Sequence, residues 1–198
     1  MARTAIINKN QIIQAAFSIA KTSGRDEISI RKISIVLGIS TGPIYTQYKG
    51  IDAINEDLVI YVNKKLIEYT LRERQISPFL TMGVGYLDFV IENKLIFYDF
   101  FLSMDSSIID QRENIDLYIK QMKDNKFMSF FNNNQQKSIL FDMTVYTHGL
   151  AVMICTTKVK TFDLNHYQKL LEQAGDKLIK YHLYSSGGFE LVMRDLQN

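Results

Sequence analysis

Residues 29–49 read SIRKISIVLGISTGPIYTQYK. Ser29 is a good side-chain cap for a helix starting at Ile30. Ile30, Ile33 and Leu37 then recur at spacings of three and four, which puts them on one face. Gly38 reaches the left-handed conformation that a β-carbon would oppose. Ser40 is expected to cap the next helix, with Thr41, Gly42 and Pro43 in its first turn. Pro43 is harmless there, because the first N–H groups of a helix have no helical partner. Ile39 is expected to be buried between the two helices and Ile44 to anchor the second. Two short helices joined by a tight glycine turn form a helix-turn-helix, the arrangement that seats one helix in the DNA major groove.

With Ile44 facing inward, Thr41, Pro43, Tyr45, Thr46 and Gln47 are left facing outward. Hydroxyls of Thr and Tyr bond phosphates, Gln pairs with an adenine edge, and Pro or Thr carbons touch a thymine methyl. Lys49 follows where a backbone phosphate would lie. Tyr45 and Tyr48 each have two readings, phosphate contact and packing. Arg31 and Lys32 work against the dipole of the helix they open; they have either a phosphate partner or a solvated face. The candidate DNA-contacting set is therefore Ser29, Arg31, Lys32, Thr41, Gly42, Pro43, Tyr45, Thr46, Gln47, Tyr48 and Lys49.

Upstream, a helix is expected from Lys9 to Ser23, capped by Asn8 with Gln11 returning the bond, and stopped by a left-handed Gly24. Ile12, Ile13, Ala16, Phe17 and Ala20 form its apolar stripe. Residues 1–50 carry seven Lys/Arg and two acids, a net of +5, whereas the remainder nets −3. One end of the chain thus suits a polyanion. The single cysteine, Cys155, excludes a disulfide framework within the chain and fits a reducing cytoplasm. No apolar run reaches the ~18 residues of a membrane span, and no signal-peptide pattern opens the chain.

Over about residues 8–58 the chain resembles the TetR family of bacterial transcriptional regulators. The resemblance rests on Ser29-Ile30-Arg31-Lys32-Ile33, Leu37-Gly38-Ile39-Ser40, Gly42-Pro43-Ile44-Tyr45, Tyr48-Lys49 and a new helix from Asp52. It implies a homodimer on a double-stranded DNA operator, an all-helical C-terminal domain that binds a small molecule, and repression relieved by that molecule. Two departures stand out. Ile51 occupies a position where the family usually has a second, phosphate-binding Lys, and Thr46-Gln47 replace a pair that is often aromatic and His.

The expected architecture is all-α, with a three-helix DNA-binding domain over 1–50 and a larger ligand-binding and dimerisation domain over 51–198, about nine or ten helices in all. Helix 4 should run from Asp52 to about Arg74, helix 5 from the Ser77 cap to about Asn93, and helix 7 from about Asp110 to Phe131. Residues 95–104 are apolar nearly all round and should be buried. Asn132-Asn133-Asn134 reads as a loop, and Phe189–Leu196 as a short final helix. Late helices at about 135–157 and 163–184 carry wide apolar faces, which the resemblance implies pair with their copies in a dimer. Phe89, Phe97, Phe100, Phe101, Met104, Tyr118, Met122, Phe141, Met143 and Tyr146 are candidates to line a pocket for a flat apolar or weakly cationic ligand, or else belong to an ordinary core. No metal, cofactor, membrane or enzymatic motif is expected: His148, His166 and His182 lack ligand spacing, and no phosphate loop or nucleophile motif occurs. Two other readings share the same residues: a ligand-independent architectural or cell-cycle DNA binder with a filled core, and a small-molecule binding protein with a degenerate head.

Overall fold

Asn8 starts the first helix with a reciprocal pair of bonds. Its Oδ1 accepts from Gln11 N–H at 3.0 Å, and Gln11 Oε1 accepts from Asn8 N–H at 3.0 Å. This helix, α1, spans Lys9–Ser23 and buries Ile12, Ile13, Ala15, Ala16, Ile19 and Ala20; Phe17 sits half-exposed against the edge of Tyr61. The computed structural model describes residues 7–103, 114–122, 126–156 and 163–185. Every element among them is helical, as expected of an all-α chain.

Gly24 ends α1, but not in the expected left-handed helical conformation. Its φ of 93° is paired with an extended ψ of 162°, a combination open essentially to glycine alone. The chain leaves it into a 3-10 turn, Arg25–Glu27. Then α2, Ile30–Leu37, begins with Ser29 Oγ accepting from Lys32 N–H and ends at a left-handed Gly38 (φ 65°, ψ 32°). Ser40 does not cap the following helix, α3, Gly42–Gln47. Thr41 holds the cap position without a side-chain bond. Pro43 is the reason: a cap at Ser40 would draw on the N–H groups of Gly42 and Pro43, and proline has none.

Helix α4, Ile51–Thr70, buries Ile54, Leu58, Val62 and Leu66, each four residues from the last. It stops four residues before Arg74, the expected end. The Arg74 guanidinium instead turns back to donate to the carbonyls of Tyr69 (3.2 Å) and Arg72 (3.0 Å) and to Asp88 (2.7 Å), closing the helix with charge-assisted bonds. Ser77 caps α5, Pro78–Glu92. The expected buried run after it divides into a short α6, Lys94–Phe97, and a π-helical turn, Tyr98–Leu102. Ile96, Phe97 and Phe100 are buried there, while Leu95 and Tyr98 are exposed.

The expected seventh helix does not run on to Phe131. α7 covers Ile115–Met122 and a 3-10 turn covers Lys126–Phe130, while 110–113 and 123–125 lie outside the described residues. Gln136 holds that turn, its side-chain amide donating to the carbonyls of Met128 and Phe131 at 3.0 Å each. α8 spans Asn133–Thr156. The asparagine run is thus no loop: Asn132 Oδ1 caps α8 through the N–H groups of Asn134 and Gln135. Asp163 caps α9, Leu164–Ser185, which packs on α8 with His182 Nε2 3.0 Å from Asp142. By length and composition alone, α8 is long and apolar enough to cross a membrane. The expected helix at Phe189–Leu196 lies outside the described residues.

The chain groups into two compact units. The first is Met1–Ile67 with Glu92–Ile109. In it Asp99 accepts the Arg25 N–H at 2.6 Å across 74 residues of sequence, and the Arg25 guanidinium lies over the Phe100 ring. The second is Glu68–Ile91 with Asp110–Asn198. Its interior holds a polar pair, Tyr86 OH and His148 Nδ1, at 2.9 Å. Burial raises the Tyr86 hydroxyl above its ordinary pKa and lowers that of the His148 ring. The phenol therefore keeps its proton beside a neutral imidazole.

Two outcomes follow from this interior. At Gly85 a methyl would meet the Tyr69 carbonyl carbon and Thr70 Cα, the latter at 2.8 Å, both backbone atoms that cannot swing aside. Gly85→Ala should cost roughly 1–3 kcal/mol of stability in chemical denaturation, while Gly50→Ala, which meets open space, should be near neutral. Because His148 is held neutral below its ordinary value of 6.5, the unfolded chain binds the extra proton. Its contribution is complete above that value and is lost as pH falls through the lowered one. The melting temperature should drop between about pH 7.5 and pH 5.5, and less steeply in His148→Gln; equal slopes would contradict this account.

Candidate nucleic-acid interface

Ile44 is fully buried and is the one buried side chain of α3. Helical periodicity then turns Tyr45 and Thr46 outward. Tyr45 is 58% exposed, Thr46 and Gly42 are exposed, and Thr41, Pro43 and Gln47 are half-buried. These six residues therefore share one short, accessible helix and its cap. Thr46 has already committed its hydroxyl proton, donating to the Pro43 carbonyl at 2.6 Å. What it offers outward is a methyl group and a lone pair. Lys49 is exposed just beyond the helix.

Tyr48 is placed differently from Tyr45. It is 4% exposed and donates its hydroxyl to Asp57 on α4 at 2.7 Å. Burial first, then the bond and charge of Asp57, push the phenol well above its ordinary pKa, so it remains a donor. Lys9 completes the group, 3.8 Å from Asp57 and over the Tyr48 ring at 4.7 Å. Tyr48 thus fastens the end of α3 to α4 and to the start of α1.

On α2, Ser29 spends its oxygen on the cap. Arg31 and Lys32 are exposed beside it. Lys32 Nζ pairs with the Glu27 carboxylate, and that bond, then the charge behind it, hold Glu27 below the usual carboxylate range. Glu27 was absent from the residues singled out in the sequence, although an acid five positions before a base in a turn-helix junction is a readable pairing. Ile35 and Val36 were also passed over. They are 68% and 53% exposed, one helical turn beyond Arg31 and Lys32 on the same side.

The residues proposed to line a pocket divide between the two units. In the first, Phe97 stacks on Phe101 with centroids 5.2 Å apart, and Phe100 is buried under Arg25. In the second, Phe89 meets the edge of Tyr69, Tyr118 is hydrogen-bonded to Thr70, and Met122 and Met143 are buried. Phe141 and Tyr146 join neither group, being 67% and 37% exposed on α8. Met104 lies outside the described residues. Two surface clefts, about 220 Å³ beside Tyr48 and Lys64 and about 290 Å³ between Lys120 and Lys137, use none of these pocket candidates. Among the described residues no three His, Cys, Asp or Glu side chains converge as metal ligands.

The architecture matches solved structures closely in extent and distantly in sequence. A protein described as a TetR-family transcriptional regulator from Rhodococcus sp. superimposes with a TM-score of 0.63 at 16% identity, over 86% of this chain and 98% of its own. A transcriptional regulator from Rhodococcus sp. Rha1 gives 0.57 at 15% identity, over 90% and 97%. A TetR-like transcriptional regulator from Rhodococcus sp. RHA1 gives 0.53 at 15% identity, over 95% and 99%. No protein-family model and no curated protein matches the sequence. With a glycine-turned helix pair ahead of a helical body, the chain has the fold of the TetR-family transcriptional regulators.

Proposed function

We propose that this protein is a dimeric, DNA-binding transcriptional repressor that is released from its operator by a small apolar or aromatic ligand. The observation that supports DNA binding most directly is α3. It spends one side chain, Ile44, on the core and leaves Tyr45 and Thr46 exposed, with Lys49 exposed just beyond it, at the basic end of the chain. In this reading Arg31, Lys32, Tyr45 and Lys49 contact phosphates, and Thr41, Pro43, Thr46 and Gln47 read base edges. Tyr48 holds the helix rather than touching DNA. A cytoplasmic location accompanies the reading, since the target is a chromosomal operator.

The dimer is supported by α8. Phe141, Val145 and Met153 are all more than half exposed, and Gly149 between them has nothing over it. These four positions repeat every fourth residue and form one apolar stripe. Tyr181 and Tyr184 stand exposed on α9. A second copy covers such a stripe better than lipid does, because the adjoining α9 shows water Lys169, Glu172, Asp176, Lys177 and Lys180. Two heads would then meet half-sites roughly 34–36 Å apart. The ligand step rests on the buried aromatic and Met side chains within each unit. Phe97 stacks on Phe101 and Phe89 meets Tyr69, so a ligand must bind the released state more tightly than the DNA-bound state to open them.

The test is an anisotropy titration of the protein's own upstream DNA. With ~6–8 phosphates neutralised per dimer, affinity should fall by ~10³ or more between 50 and 200 mM salt. Tyr45→Ala with Lys49→Ala should abolish the shift, and Val145→Glu should yield monomers by sedimentation with weakened binding. Full binding by the Tyr45/Lys49 double variant, or a salt-insensitive complex, would end the DNA reading.

A further inference from the structure

The structure assigns Glu27 a role as a built-in competitor of DNA for Lys32. This inference rests on the DNA-binding reading above. Glu27 closes the 3-10 turn that precedes α2, and Lys32 lies in the first turn of that helix, five residues on. The Lys32 ammonium is in contact with the Glu27 carboxylate, both side chains about half exposed. Arg31 stands beside it with no ion pair among the described residues. Two adjacent bases at one helix end thus differ: Arg31 is ready for a phosphate, and Lys32 is already neutralised.

A phosphate and a carboxylate ask the same thing of an ammonium group, a charge-assisted bond from N–H to anionic oxygen. Docking a duplex at Lys32 therefore exchanges one anion for another and leaves Glu27 unmatched beside a polyanion. The exchange lowers affinity for every sequence alike, because phosphates carry no sequence information. It also alters the salt response. A Lys–phosphate contact normally releases counterion from DNA; here the freed carboxylate gathers a cation in return, so Lys32 adds little to the slope. For an exposed pair the effect is modest, about 2–5-fold in affinity per head.

The experiment is a double-mutant cycle on the full chain with a mixed-sequence duplex of about three helical turns, at 50 to 200 mM salt. Glu27→Gln should bind about 2–5-fold more tightly per head at the low-salt end and steepen the log affinity–log salt slope by up to ~0.9 per head. In a Lys32→Met background, Glu27→Gln should change neither quantity. An equal gain in both backgrounds would mean that Glu27 acts only through the general field, and the inference falls. Binding by wild type with no gain in Glu27→Gln also overturns it while leaving the DNA reading intact. If neither wild type nor Glu27→Gln binds any duplex, the DNA reading itself fails and takes this one with it.

Discussion

A helix of six residues is not stable in water, because nucleating it fixes more backbone freedom than its few hydrogen bonds return. α3 is such a helix, and its first turn holds both a glycine and a proline. What keeps it folded is attachment at two points. Ile44 is sunk completely in the core of the first unit, and Tyr48 ties its trailing end to Asp57 on α4. The outward display of Tyr45, Thr46 and Lys49 depends on those two attachments. α4 is therefore a structural part of the candidate interface even where it presents nothing to a ligand.

Local chemistry made much of this legible in the sequence. Asn8 with Gln11, Ser29, Gly38, Ser77 and Asp163 act where their side-chain chemistry and spacing indicate, since a cap satisfies N–H groups within three residues of itself. The misses have the same origin in reverse, at positions where a distant or proline-modified partner decides. Ser40 loses its role because Pro43 has no N–H to give. α4 ends early because Arg74 folds back on the Tyr69 carbonyl. The run after Lys94 is not buried all round: it divides into a short helix and a π-helical turn, and Leu95 and Tyr98 face out.

The C-terminal helices show a different limit. Phe141, Met143, Val145 and Ile154 read alike as apolar positions of a long helix. In the fold Met143 and Ile154 are buried, while Phe141 and Val145 face out. An apolar residue destined for a partner and one destined for its own core carry the same hydrophobicity, so the periodicity of α8 cannot separate them. For the candidate DNA-contacting residues the problem is milder. Their exposure follows from which neighbour anchors α3, and Ile44 identifies that neighbour.

The bond from the Arg25 N–H to Asp99 bears on how such a protein can be taken apart. The turn between α1 and α2 is completed by a carboxylate that enters 74 residues later, on a π-helical turn in the same compact unit. The turn after α1 is therefore completed only by a residue outside the first fifty. A chimera cut after residue 50 would leave the Gly24–Arg25 turn without its acceptor and Phe100 without its cationic lid. Grafting the helix-turn-helix onto another chain would require transplanting the 92–109 segment with it.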